Sequence, residues 1–109
     1  MSLVAAVRTN PQNVVNDYGR VMHLAKYQDH IAKKGRTIIK LNLSWSLYYH
    51  ACSTEPWQLE GVLKTLREDG YTDITAVENR TVVTNLQKGA KLNQWLPVLK
   101  KYDVPLVPL

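Results

Sequence analysis

The chain has 109 residues, 45% hydrophobic and 21% charged, a balance that suits one folded domain with one core and excludes long disorder. Its formal charge is +5 and its pI is near 9.4, yet no apolar run approaches bilayer length and no charged-then-apolar leader opens the sequence, so a cytoplasmic setting is the default expectation. The single cysteine, Cys52, excludes an internal disulfide and any metal site built on several cysteines.

Residues 3–7 are apolar and end at Arg8-Thr9-Asn10-Pro11, the pattern of a strand followed by a turn and a helix start. Thr9 or Asn10 can cap that helix, with Pro11 in its first turn. Val14, Val15, Tyr18, Val21, Met22, Ala25 and Ile31 recur mostly at three or four residues and predict a helix over 12–34. Gly19 inside it marks either a close packing contact or a break. His23 and His30 find no carboxylate or cysteine at short spacing to complete a ligand set. Gly35 closes the helix as a left-handed residue would.

Thr37, Ile38, Ile39, Leu41 and Leu43 then read as a strand covered on both faces. Lys40 and Asn42, two apart, share a face of it, near the carboxyl end where open α/β sheets bind ligands. Two readings stand: an ammonium and an amide set for a ligand, or a lysine snorkelling to water beside an asparagine that ties down a turn. Residues 44–54 carry Trp45, Tyr48, Tyr49, His50 and Cys52, rings that either pack down or await a partner. Ser53-Thr54-Glu55-Pro56 predicts a helix start with a hydroxyl cap, and Leu59, Val62, Leu63 and Leu66 supply its core stripe as far as Gly70.

Residues 71–77 predict the next strand, which brings Glu78 and Asn79 beside Lys40 and Asn42. Here too two readings stand, a structural Lys40–Glu78 ion pair or a polar crevice of mixed charge. Residues 81–84 extend that strand or form a small flap, and Gly89 argues against a long helix after them. Leu92, Trp95, Leu96 and Leu99 have helical spacing with Pro97 among them, so the regular helix starts near 93–96 or kinks. Residues 104–109 close the chain as an edge strand, because Pro105 and Pro108 withhold ladder donors.

Three stretches, TIIKLNLSW from Thr37, STEPWQLEGVLKTLREDGYTDITAVEN from Ser53 and LPVLKKYDVPLVPL from Leu96, resemble the start of the domain-of-unknown-function 362 family. The shared pattern is a strand with lysine and asparagine two apart, a threonine-started helix, a glycine and a strand ending in an acid. It falls on Lys40, Asn42, Thr54, Gly70 and Glu78. The resemblance implies a longer protein, since members of the family are often longer and are sometimes joined to ferredoxin-type iron–sulfur modules. This chain has Leu41 where the family often has proline and lacks the cysteines of a cluster module, so no cofactor is assigned.

The order β-α-β-α-β-α-β predicts a single α/β domain over 1–109, a piece of something longer, in a Rossmann-like three-layer form. That form has a four-stranded, mostly parallel sheet with helices on both faces. The functional expectation is an anion or small-ligand crevice at the strand carboxyl ends, lined by Lys40, Asn42, Ser44, Thr54, Glu78 and Asn79, within a larger enzyme or redox-associated protein. No catalytic residue and no metal site is assigned. The alternative is an interaction module that self-associates through Trp45, Tyr48 and Tyr49. Nucleic-acid binding is disfavoured: Lys33, Lys34 and Arg36, like Lys100 and Lys101, cluster at predicted helix ends, where cations complement the dipole, and form no stripe with interleaved aromatics.

Overall fold

Three short strands rich in β-branched residues set the frame. In the computed structural model, which describes residues 1–82 and 84–109, β1 (Thr37–Lys40), β2 (Ile74–Glu78) and β3 (Leu106–Pro108) lie side by side in that order, all parallel. Ile39 pairs with Ala76 and Ala76 with Leu106, so the carboxyl ends of all three strands share one rim. Four helices accompany them: α1 (Val14–Leu24), α2 (Pro56–Glu68), α3 (Leu86–Leu92) and α4 (Trp95–Lys101). None is long and apolar enough to cross a membrane.

The helices form one contiguous layer, with α1 against α2, α2 against α4 and α4 against α3. Leu59, Leu63 and Leu66 of α2 and Trp95 and Leu99 of α4 meet Ile39, Ile74, Ala76 and Leu106 on one face of the sheet. Alternation along the strands points Ile38, Thr75, Val77 and Val107 the other way, and Val77 is buried at 6% exposure. Ile38 is 63% exposed there and Val107 43%. Helices on both faces were expected; among the described residues they cover one.

The expected strand at residues 3–7 does not form, and the sheet has three strands rather than four. Two of those five residues are alanines, which bring little apolar area to offset the entropy of ordering an edge strand. Val4 is 86% exposed. The outer edge of β1 therefore stays open: Thr37 and Leu41 donate to β2 at 2.8 and 3.0 Å, so the N–H groups of Ile38 and Lys40 point away from the sheet.

The first helix is also shorter than its periodicity predicts. Lys26 adopts a left-handed φ of 53°, which ends the regular turns, and a 3₁₀ turn at Tyr27–Asp29 follows that buries Tyr27. Gly19 is a packing contact: a Cβ there would lie 3.0 Å from Thr65 Oγ1, and one on Gly61 would lie 2.6 Å from Tyr18. The two glycines let α1 and α2 approach closely. Gly89 serves the same purpose in α3, since a Cβ on it would sit 2.5 Å from Leu43 Cδ2. α4 starts at Trp95, which leaves Pro97 in the first turn where its missing N–H costs nothing. Thr81 and Thr84 form an isolated antiparallel bridge; of the stretch expected to extend the strand or form a flap, Val83 lies outside the described residues.

Candidate ligand-binding site

Adjacent parallel pairing of β1 and β2, with Lys40 opposite Val77, brings the polar ends of the two strands together. Glu78 is buried, and Lys40 Nζ donates to its Oε1. The Leu43 N–H donates to Oε2 at 2.5 Å and the Asn79 N–H to Oε1 at 2.6 Å. Burial pushes the Glu78 carboxyl up, but the Lys40 ammonium and the two backbone donors outweigh it and hold the group below the usual glutamate range. Lys40 also donates to the Leu41 carbonyl at 2.6 Å. The pair is thus a closed structural lock with a half-exposed lysine.

Asn42, Ser44 and Thr54 form a second lattice. The Asn42 and Thr54 main chains face each other: Thr54 N–H donates to the Asn42 carbonyl at 2.9 Å, and Asn42 N–H donates to Thr54 Oγ1 at 2.9 Å. Asn42 Nδ2 reaches Ser44 Oγ at 3.0 Å and the Cys52 carbonyl at 3.3 Å. Ser53 Oγ accepts from the Ser44 N–H at 3.1 Å. The hydroxyls expected to cap α2 are therefore spent on pinning the strand exit. The helix cap falls to Glu55, whose N–H donates to Gln58 Oε1 at 2.9 Å. His50 meets Tyr48, its Nδ1 2.8 Å from the phenol oxygen, and that phenol also donates to Glu55 Oε2 at 3.2 Å.

A cavity of about 740 Å³ opens on the same rim, just beyond the strand ends. Its walls come from Trp45, Ser46 and Leu47 after β1, from Arg80, Thr81 and Val82 after β2, from Thr84 to Lys88 at the start of α3, and from Pro108 of β3. None of Lys40, Asn42, Ser44, Thr54, Glu78 or Asn79 is in that wall; the six form two hydrogen-bonded clusters at the strand exits. Ser46 Oγ accepts from the Asn85 N–H at 2.7 Å, which ties the α3 start to the first loop and leaves the hydroxyl proton free. Thr81 and Thr84 share a hydrogen bond at 2.7 Å, which uses one of their two hydroxyl protons.

Arg80 and Lys88 are the cations of the wall. Both are exposed, and among the described residues neither makes an ion pair. The basic residues that the sequence reading singled out, Lys40 among them, are not those that face the cavity. Arg80 had a readable signal, a cation two residues past a strand end in a fold that binds ligands beyond strand ends. Lys88 had none, because its place depends on how α3 packs against the loop after β1. Among the described residues no three His, Cys, Asp or Glu side chains converge as they would around a metal ion. Set against models of known families, curated proteins and solved structures, the chain matches none.

Proposed function

We propose that this domain binds a small anionic molecule in the crevice beyond its strand carboxyl ends. The observation that carries the reading is the cavity of about 740 Å³ whose wall holds two cations, Arg80 and Lys88, that make no ion pair among the described residues, together with the hydroxyls of Ser46, Thr81 and Thr84. An arginine fork and a lysine point charge in one concavity complement an oxyanion, and low-dielectric walls focus their field. In this reading the Lys40–Glu78 lock and the Asn42–Ser44–Thr54 lattice hold the two loops in place while Arg80 and Lys88 meet the ligand.

The proposal extends to the longer protein that the family resemblance implies, in which the domain supplies the ligand crevice of a larger enzyme or redox-associated assembly. The open outer edge of β1 and the exposed part of the second sheet face, at Ile38 and Val107, are where a fourth strand and a second helical layer would complete a Rossmann-like form. The test is an orthophosphate titration followed by amide NMR. Shifts at Ser46, Arg80 and Lys88 that vanish in the Arg80→Gln, Lys88→Gln double variant are expected. Shifts confined to 33–36 and 100–101 would defeat the reading.

A second reading is favoured by one observation: Trp45, Tyr48 and Tyr49 are 41, 40 and 57% exposed, so the loop is not absorbed into the core. Rings of this kind anchor protein contacts. Concentration-dependent mass by light scattering, lost in Tyr48→Ser, Tyr49→Ser, distinguishes self-association from ligand binding.

A further inference from the structure

Resting on the anion-crevice reading, we infer that the ligand is a phosphomonoester carrying a flat apolar body. Charge selects the head group. Arg80 and Lys88 together present two positive charges with no carboxylate facing them from the cavity wall, and a phosphomonoester carries close to two negative charges at neutral pH, whereas a carboxylate carries one. Ser46 adds a hydroxyl proton whose oxygen is fixed by the Asn85 N–H. Donors of this kind are worth most when they are already held in place.

Size selects the body. A bare phosphate would leave most of a cavity of about 740 Å³ unfilled, a volume within the roughly 300–1,000 Å³ of sites that enclose drug-sized molecules. The wall also carries the apolar groups Trp45, Leu47 and Pro108. Trp45 is 41% exposed and Leu47 43%. An indole left accessible in a concave wall is a stacking surface for a planar group. Aryl phosphates and nucleoside monophosphates share this chemistry, a dianion at one end and a ring at the other.

Calorimetric titrations of the full chain with orthophosphate, phenyl phosphate, adenosine monophosphate and phenol separate the parts. Ring stacking should make at least one phosphate ester bind roughly tenfold tighter than orthophosphate, with quenching of tryptophan fluorescence. A preference for the aryl ester over the nucleotide, or the reverse, says which source fits. Trp45→Leu should bring the ester-to-phosphate ratio toward one, and Arg80→Gln should weaken every phosphate ligand; circular dichroism checks that both fold. Equal affinity for orthophosphate and both esters overturns the inference and leaves the anion crevice standing. Phenol binding as tightly as phenyl phosphate, or no binding by any of the four, overturns the crevice reading itself.

Discussion

Replacing Glu78 with glutamine tests the lock at the strand exits with almost no change in shape. The carboxylate receives three donors: Lys40 Nζ and the Asn79 N–H on Oε1, and the Leu43 N–H on Oε2. A glutamine offers one oxygen and turns an NH₂ toward whichever donor is left. Leu43 is 6% exposed, so its stranded N–H finds no water. An unsatisfied buried donor together with a weakened charged hydrogen bond costs about 2–3 kcal/mol, which for a domain of this size lowers Tm by roughly 10–20 °C. Lys40→Met removes the other half of the pair; because the lysine side chain is 49% exposed and two backbone donors stay on the carboxylate, it should cost less, about 1 kcal/mol. The pH dependence adds a sign. A carboxylate held below its unfolded value contributes stability that is present above that value and lost as pH falls through the lower, folded one. Wild type should therefore lose stability on acidification below about pH 4.5, and Glu78→Gln should lack that component. Urea unfolding followed by tryptophan emission measures both. A Glu78→Gln variant within 0.5 kcal/mol of wild type would refute the lock.

Three further outcomes follow from packing and hydrogen bonding. Gly61→Ala puts a Cβ 2.6 Å from Tyr18 and should cost about 1–3 kcal/mol by forcing α1 from α2, read as a lowered urea midpoint. Arg67 spends three nitrogens on the carbonyls of Tyr71, Thr72, Tyr102 and Asp103 at 2.6–3.1 Å, clamping the turns before β2 and β3; Arg67→Lys cannot span them and should cost about 2 kcal/mol by the same assay. Tyr27 is pushed above the usual phenol range, first by burial and then by Asp69, which accepts from its hydroxyl. In an alkaline spectrophotometric titration one of the six tyrosines should stay protonated beyond the others, and Asp69→Asn should bring it back toward them.

The fold was legible where apolar periodicity and glycine placement agreed. The α2 stripe ended at Gly70, whose φ is 90°, and β1 and β2 were readable as parallel neighbours because a helix separates them. The proline pair marked β3 as an edge. What failed did so for one reason: local pattern does not report tertiary supply. Residues 3–7 look like a strand, but nothing in the run itself says whether an edge will order it. The periodicity past Lys26 continues although the chain turns there to bring Tyr27 under Asp69, a contact across 42 residues. Gly89 argued against a long helix, and α3 has seven residues; what the pattern did not report is that the glycine is also the gap into which Leu43 packs.

The rim that carries the cavity was legible in the sequence and the cavity's lining was not, and charge compensation explains the difference. Lys40 and Glu78 are the terminal residues of adjacent parallel strands, so the register itself brings them together and each becomes the other's partner. A polar residue inside a strand end must satisfy the sheet before it can meet a ligand, because burial without a partner is costly. Two or three residues further on the backbone has left the ladder, and side chains such as Arg80 answer only to the solvent and the opposing loop. The cations of the cavity wall that make no ion pair among the described residues are therefore found past the strand ends. That order of supply makes a double prediction for the crevice: charge removal at Arg80 should change ligand affinity and leave the urea midpoint within about 0.5 kcal/mol, while charge removal at Glu78 should move the midpoint first. If Arg80→Gln destabilised the fold as much as Glu78→Gln, the division between lock and crevice would be wrong.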